Sequence, residues 1–169
     1  MRIKSMVFTA FFLGASVVAN AQPIQLKSTT IEKSENGHSF VLKLAKKPFE
    51  IEHHDLSRIK DNIVDGREIY GVDGSIPREE FSTFSLSIDG TDVSIPANIF
   101  NRFYDPTFGY QGSSKYVDAF WGNDYDCVFV YMNGSDGAGG YSVTWVLKKN
   151  GQHTYSLIPL YDVYFEFND

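Results

Sequence analysis

A single cysteine in a chain of 169 residues, Cys127, leaves no partner for an internal disulfide. It stands inside an apolar run, Cys127-Val-Phe-Val-Tyr-Met132, where a thiol is ordinarily a small buried hydrophobe rather than a nucleophile. Metal-ligand spacing among histidines is missing as well. The four are His38, His53, His54 and His153, and the adjacent pair points its rings in different directions from any helix or strand. Those two read as solvent-facing residues at the cap of a following helix. No Gly-x-Ser-x-Gly elbow accompanies them, so a serine hydrolase lacks its usual signature. A carboxylate pair such as Asp73 with Asp136 would serve a glycosidase only if folding brought the two within catalytic range.

Bases are scarce too. Lys and Arg number 15 against 21 Asp and Glu, a formal charge of −6. That balance argues against nucleic acid or an anionic membrane as partner, since both reward basic residues. No proline- or serine-rich linker, repeat or low-complexity segment divides the chain.

The one long hydrophobic run lies at residues 6–18, preceded by Arg2 and Lys4 and followed by the small residues Ala19-Asn-Ala21. This is the layout of a cleaved signal peptide, and the run is too short for a membrane span. Residues 1–21 are therefore expected to be the signal and residues 22–169 a single β-rich domain, exported to the periplasm or secreted, with no transmembrane segment left after cleavage. Losing two bases and no acids takes −6 to −8. From Glu68 onward, fourteen acids face five bases. An acidic face suits a basic exported partner, and it is also a common route to solubility.

What remains is strand and turn chemistry. Residues 24–34 and 39–44 read as strands around Glu35-Asn36-Gly37, and residues 81–95 as a hairpin turning at Asp89-Gly90. Leu56, Ile59 and Ile63 recur at helical spacing after Asp55, a plausible N-cap. A second short helix is expected over 96–104, with Ile99, Phe100 and Phe103 inward. Cys127 to Met132 has the composition of a strand buried on both faces, while Tyr141, Val143, Trp145 and Leu147 alternate with polar residues and share one face. Residues 153–159 and 161–167 close the sheet. The expected fold is mostly β, an antiparallel β-sandwich or open barrel with one or two short helices.

Between the two central strands lies a glycine-rich loop, residues 133–140, longer than a tight hairpin needs. Asn133, Ser135 and Asp136 place oxygens beside its backbone. Three readings stand: a calcium site with Asp124 and Asp126 folding in from the strand start, an anion-binding nest of amides, or a turn whose Asn and Asp cap their own backbone. A second Asp-Gly loop carries Asp73.

Four pieces in order, Tyr70-Gly-Val-Asp-Gly-Ser-Ile-Pro77, Ser87-Ile-Asp-Gly90 leading to Ile95-Pro96, Tyr104-Asp-Pro106, and Gly134-Ser-Asp-Gly-Ala-Gly-Gly-Tyr141, resemble small secreted bacterial proteins of unassigned function. The resemblance spans residues 70–145. It implies an exported single domain and carries no catalytic residue across.

The expected function is non-catalytic binding, as by an immunity or inhibitor protein. Aromatic-rich loops (Phe103, Tyr104, Phe108, Tyr110) would anchor such a partner. The alternative is a calcium- or carbohydrate-binding module built from the two Asp-Gly loops, with Trp121 or Trp145 stacking on a sugar. It depends on those loops lying side by side. No cofactor other than calcium is implied.

Overall fold

A computed structural model describes residues 24–110, 116–123, 125–135 and 137–159. Among these, β1 (Ser28–Glu35), β2 (His38–Pro48), β5 (Glu79–Ile88) and β6 (Thr91–Val93) form one sheet, in the order β1-β2-β5-β6. A second sheet has the order β10-β9-β8-β7, from β7 (Val117–Gly122), β8 (Cys127–Gly134), β9 (Tyr141–Lys148) and β10 (His153–Pro159). A small hairpin, β3 (Ile63–Val64) with β4 (Arg67–Glu68), stands apart. Every strand pair is antiparallel. The arrangement is a sandwich, not a closed barrel.

Period-two patterning builds the core. Phe40, Leu42 and Leu44 of β2 and Phe84, Leu86 and Ile88 of β5 meet Val128, Val130 and Met132 of β8 and Tyr141, Val143, Trp145 and Leu147 of β9 in one apolar cluster. Trp145 is fully buried and donates its indole N–H to the Ile99 carbonyl at 2.9 Å. Two-residue turns close the hairpins where expected. Asn36-Gly37 and Asp89-Gly90 both have positive φ, as such turns require.

β8 departs from expectation, because it buries one face and not both. Val128, Val130 and Met132 point into the core, whereas Phe129 is half-buried and Tyr131 exposed. Cys127 shares their outer face yet is buried. The Phe129 ring lies over Gly122, so close that a Cβ there would meet it at 2.3 Å and the Cys127 sulfur at 3.3 Å. Burial pushes the thiol's pKa up, the opposite of an activated nucleophile.

The expected helical pieces are realised as three-residue 3-10 turns, Ile59–Asp61 and Ala97–Ile99. The apolar spacing after Asp55 runs no further because Asn62 adopts a left-handed conformation, φ 56°, and sends Ile63 into β3. Asp55 caps only locally, accepting the Ser57 amide at 2.9 Å. Val64, Ile69, Val72 and Tyr104 then form a second, smaller core with Phe49, Leu56 and Ile59. The expected strand at 161–167 lies outside the described residues.

One irregularity positions everything that follows. Between Ala45 and Lys46 the β2–β5 register slips, so that Ala45 faces Thr83 while Lys46 faces Phe81. The extra residue on β5 is Ser82. This bulge inverts the phase of β5. Glu79 thereby joins Phe81 on the inward side, and Glu80 turns outward.

Asp89 ties three turns together. Its carboxylate meets His38 Nδ1 at 3.0 Å, the Ser39 amide at 2.9 Å and Lys149 Nζ at 3.2 Å. The His38 hydrogen bond, then the Ser39 amide, hold its pKa well below the usual carboxylate range against a small opposing effect of burial, and Lys149 adds to them. A depressed folded-state pKa stabilises the fold above the unfolded value, roughly 4, and that stability is lost as pH falls below it. The melting temperature of Asp89→Asn should therefore fall less between neutral pH and pH ~3 than that of the unmodified protein, as followed by circular dichroism.

Candidate functional site

Lys46 occupies the inward position after Phe40, Leu42 and Leu44, and its side chain has no solvent exposure. Its ammonium has three donors and finds three acceptors: Gln25 Oε1 at 2.9 Å, the Pro106 carbonyl at 2.9 Å and Glu79 Oε2 at 2.5 Å. The Phe108 ring lies beneath it, 5.7 Å to the centroid. Burial lowers the Lys46 pKa despite the Glu79 contact. Burial acts on Glu79 in the raising direction, and bonds from Lys27 and Lys46 outweigh it, leaving that carboxyl below its ordinary value. Glu79 thus bridges two lysines, one buried and one exposed.

Next to this plug runs a strap, Tyr104-Asp105-Pro106. Asp105 has a left-handed backbone, φ 49°. Its Oδ1 accepts the Arg78 and Glu79 amides, each at 2.8 Å. Its own amide donates to the Glu79 carbonyl at 2.9 Å, and its carbonyl accepts the Ser135 amide at 2.9 Å. On one side the strap presses against Gly71, where an added Cβ would sit 2.1 Å from the Tyr104 oxygen, and φ is +110° besides. On the other, Pro106 bridges to Gly134.

The two Asp-Gly loops consequently lie side by side. Ser135 Oγ donates to the Gly71 carbonyl at 2.7 Å. Gly139 packs so near the other loop that a Cβ would come within 2.9 Å of Val72 Cα. Three of the four motif pieces that carry the sequence resemblance converge here; the fourth, Ser87–Gly90 leading to Ile95-Pro96, belongs to the distant Asp89 turn. A cleft of about 480 Å³ opens beside the strap, lined by Gln25, Glu79, Thr107, Tyr110, Tyr116 and Ser135 among others. It adjoins a recess of about 420 Å³ that includes Asp73 and Ser75, and the two share Arg78, Asp105 and Ser135.

The sequence candidates divide accordingly. Ser135, Asp73 and Tyr110 come together around this trough. Tyr104, Phe103 and Phe108 are core residues beneath it, and burial pushes the Tyr104 phenol up to about 12. Asn133 belongs to β8 and not to the loop: it pairs with Ser142, whose Oγ lies 2.7 Å from Asn133 Oδ1. Trp121 is buried at another part of the sandwich, stacked on His38 with ring centroids 4.2 Å apart. Trp145, the other stacking candidate, is fully buried. Asp126 precedes β8, so its 8 residues hold Asp126 roughly 25 Å from Ser135 at ~3.3 Å per residue. Asp124 and Asp136 lie outside the described residues. Among the described residues no three His, Cys, Asp or Glu side chains converge on a metal site.

Sequence reasoning overlooked two features. Lys46 was legible as the fourth position of an inward-facing series. His54, expected to face solvent, has a side chain only 15% exposed, with Nδ1 2.9 Å from Asp65 and Nε2 3.2 Å from Glu80. Phe49 stacks on its ring at 4.4 Å. Glu80 reaches it because the β5 bulge turned Glu80 outward. His53, by contrast, is exposed.

The second surface of note is the outer face of the β7–β10 sheet. Phe120 and Phe129, opposite each other across β7 and β8, stack at 5.3 Å, and Tyr125 meets Phe129 edge-on at 6.2 Å. Phe120, Tyr125 and Tyr131 are 46%, 63% and 42% exposed. Val146 and Thr144 continue the face on β9 by register.

No protein-family model, curated protein or solved structure matches this chain.

Asp105→Ala should lower stability by about 2–4 kcal/mol in urea unfolding, because two backbone amides lose their acceptor and the junction of the loops opens. Asp105→Asn, which keeps one acceptor oxygen, should lose less.

Proposed function

We propose that this is an exported, non-catalytic binding protein that holds a basic protein partner against the outer face of the β7–β10 sheet. The observation that carries this reading is the cluster of Phe120, Tyr125, Phe129 and Tyr131. Soluble monomers rarely expose contiguous aromatic surface of this kind unless something binds it. Aromatic side chains contribute disproportionately to interface energy because they bury large rigid areas at little entropic cost.

The chemistry around the patch favours a basic partner. Asp126, in the turn before β8, borders the aromatics, and Asp118 on β7 is already paired with Lys33. Aromatic faces accept Arg or Lys side chains through cation–π contact. The net charge of −8 on residues 22–169 adds long-range steering toward such a partner. An inhibitor or immunity protein acts in this way, by occupying its target's surface. The signal-like N-terminal sequence supports export, where that target would be met.

The test uses residues 22–169, immobilised and challenged with exported proteins from the source cells, bound species being identified by mass spectrometry. A stoichiometric basic partner is expected, eluting as salt screens the charges. The double variant Phe120→Ser/Tyr131→Ser should weaken binding by about 100-fold or more, equivalent to about 2.7 kcal/mol, while still folding as judged by circular dichroism. Full binding by that variant would reject the sheet face as the interface.

A further inference from the structure

The trough beside the strap is a separate site, on a different part of the molecule from the aromatic sheet face. We infer that it binds a neutral oligosaccharide. Size and shape come first. The cleft of about 480 Å³ and the recess of about 420 Å³ share Arg78, Asp105 and Ser135 as a common wall. Each falls in the roughly 300–1,000 Å³ range of small-molecule clefts. Two joined recesses suit a chain of linked units better than one compact molecule.

Charge disfavours ionic ligands in the cleft. The carboxylates at the cleft already have counter-charges within the protein: Glu79 is met by Lys27 and Lys46, and Asp105 by Arg78 and two amides, while the recess adds Asp73. An anionic or cationic ligand would have to compete with those pairs. What the walls add beyond them is uncharged hydrogen-bonding capacity from Gln25, Thr107, Ser135 and the tyrosine hydroxyls. Ligand hydroxyls, which both donate and accept, match that mixture.

Orientation is built in. Lys46 holds Gln25 Oε1 at 2.9 Å, so the amide has its NH₂ to offer the cleft. Tyr110 and Tyr116 stand edge to face, centroids 5.9 Å apart, at the cleft wall. A tyrosine ring there provides the apolar platform on which the C–H face of a sugar packs. Because Asp105 and Ser135 fasten both loops to the strap, little ordering is needed on binding.

The experiment titrates residues 22–169 by calorimetry with four probes: chitotetraose, cellotetraose, maltotetraose and a tetralysine peptide. Binding of at least one oligosaccharide with a Kd of about 1 mM or tighter is expected, with no response to tetralysine in the same concentration range. Tyr110→Ala and Tyr116→Ala should each weaken it by about tenfold or more, whereas Glu32→Gln on the exposed side of β1 should not. Circular dichroism would confirm that the variants fold, and Gln25→Glu, which keeps the Lys46 contact but removes the NH₂, provides a second variant with the same expectation. Absence of binding by all three oligosaccharides, binding of the peptide alone, or sugar binding indifferent to Tyr110, Tyr116 and Gln25 would each overturn the assignment. The Phe120→Ser/Tyr131→Ser variant should titrate like the unmodified protein, so the two sites stand or fall separately.

Discussion

A lysine ammonium occupies the fourth inward position of β2, where period two would place another leucine. A charge there is tolerable only with full satisfaction, because an unpaired ammonium in an apolar interior costs several kcal/mol. The fold meets that demand by bringing three distant acceptors to one point: Gln25 from the segment before β1, Glu79 from the start of β5, and the Pro106 carbonyl from the strap. None of these would need to be where it is if residue 46 were apolar. The ion pair is weak as a source of stability, since a well-packed hydrophobic replacement is often as good. Its consequence is geometric: this end of the sandwich is closed by a polar plug and left with a polar cleft.

Asp105 extends the same logic from side chains to backbone. One carboxylate oxygen accepts two successive amides, and the residue's own amide and carbonyl reach β5 and the β8–β9 loop. The left-handed conformations of Asp105 and Ser135, φ 49° and 59°, are uncommon for non-glycine residues. Such backbone persists when the surrounding contacts over-determine it. Here those contacts are the hydrogen bonds that join the two loops.

Much of this was legible in the chain. Asn36-Gly37 and Asp89-Gly90 announced their turns because few other residue pairs accept positive φ twice in succession. Tyr141, Val143, Trp145 and Leu147 announced a buried face because alternation with Ser142 and Thr144 has no other economical reading. Other features were hidden for definite reasons. The bulge at Ser82 sits in a serine-rich stretch whose pattern tolerates either phase, so which of Glu79 and Glu80 faces inward could not be read. Helical spacing after Asp55 was real, but Asn62 and the Asp65-Gly66 turn redirect the chain into a hairpin. The contact between Ser135 and Gly71 spans 64 positions in sequence, and no local rule reaches that far.

The charge count says little about where the charges end up. Acids from Glu68 onward suggest an acidic face, but four of them meet bases, most of which come from β1, β2 and the residue before β1. Lys27 and Lys46 take Glu79, Lys47 takes Glu80, Lys33 takes Asp118, and His38 joins Lys149 on Asp89. Sequence asymmetry has thus been converted into ion pairs within and between the sheets. Pairing leaves the net charge, and with it the long-range field, intact, but it removes the local case for a uniformly acidic docking surface. Short-range discrimination must then come from shape and from uncharged groups. That is why the aromatic sheet face and the hydroxyl-and-amide trough, and not the carboxylates themselves, carry the functional argument. β8 links the two directly, presenting Phe129 and Tyr131 to one surface and leading into Ser135 at the other.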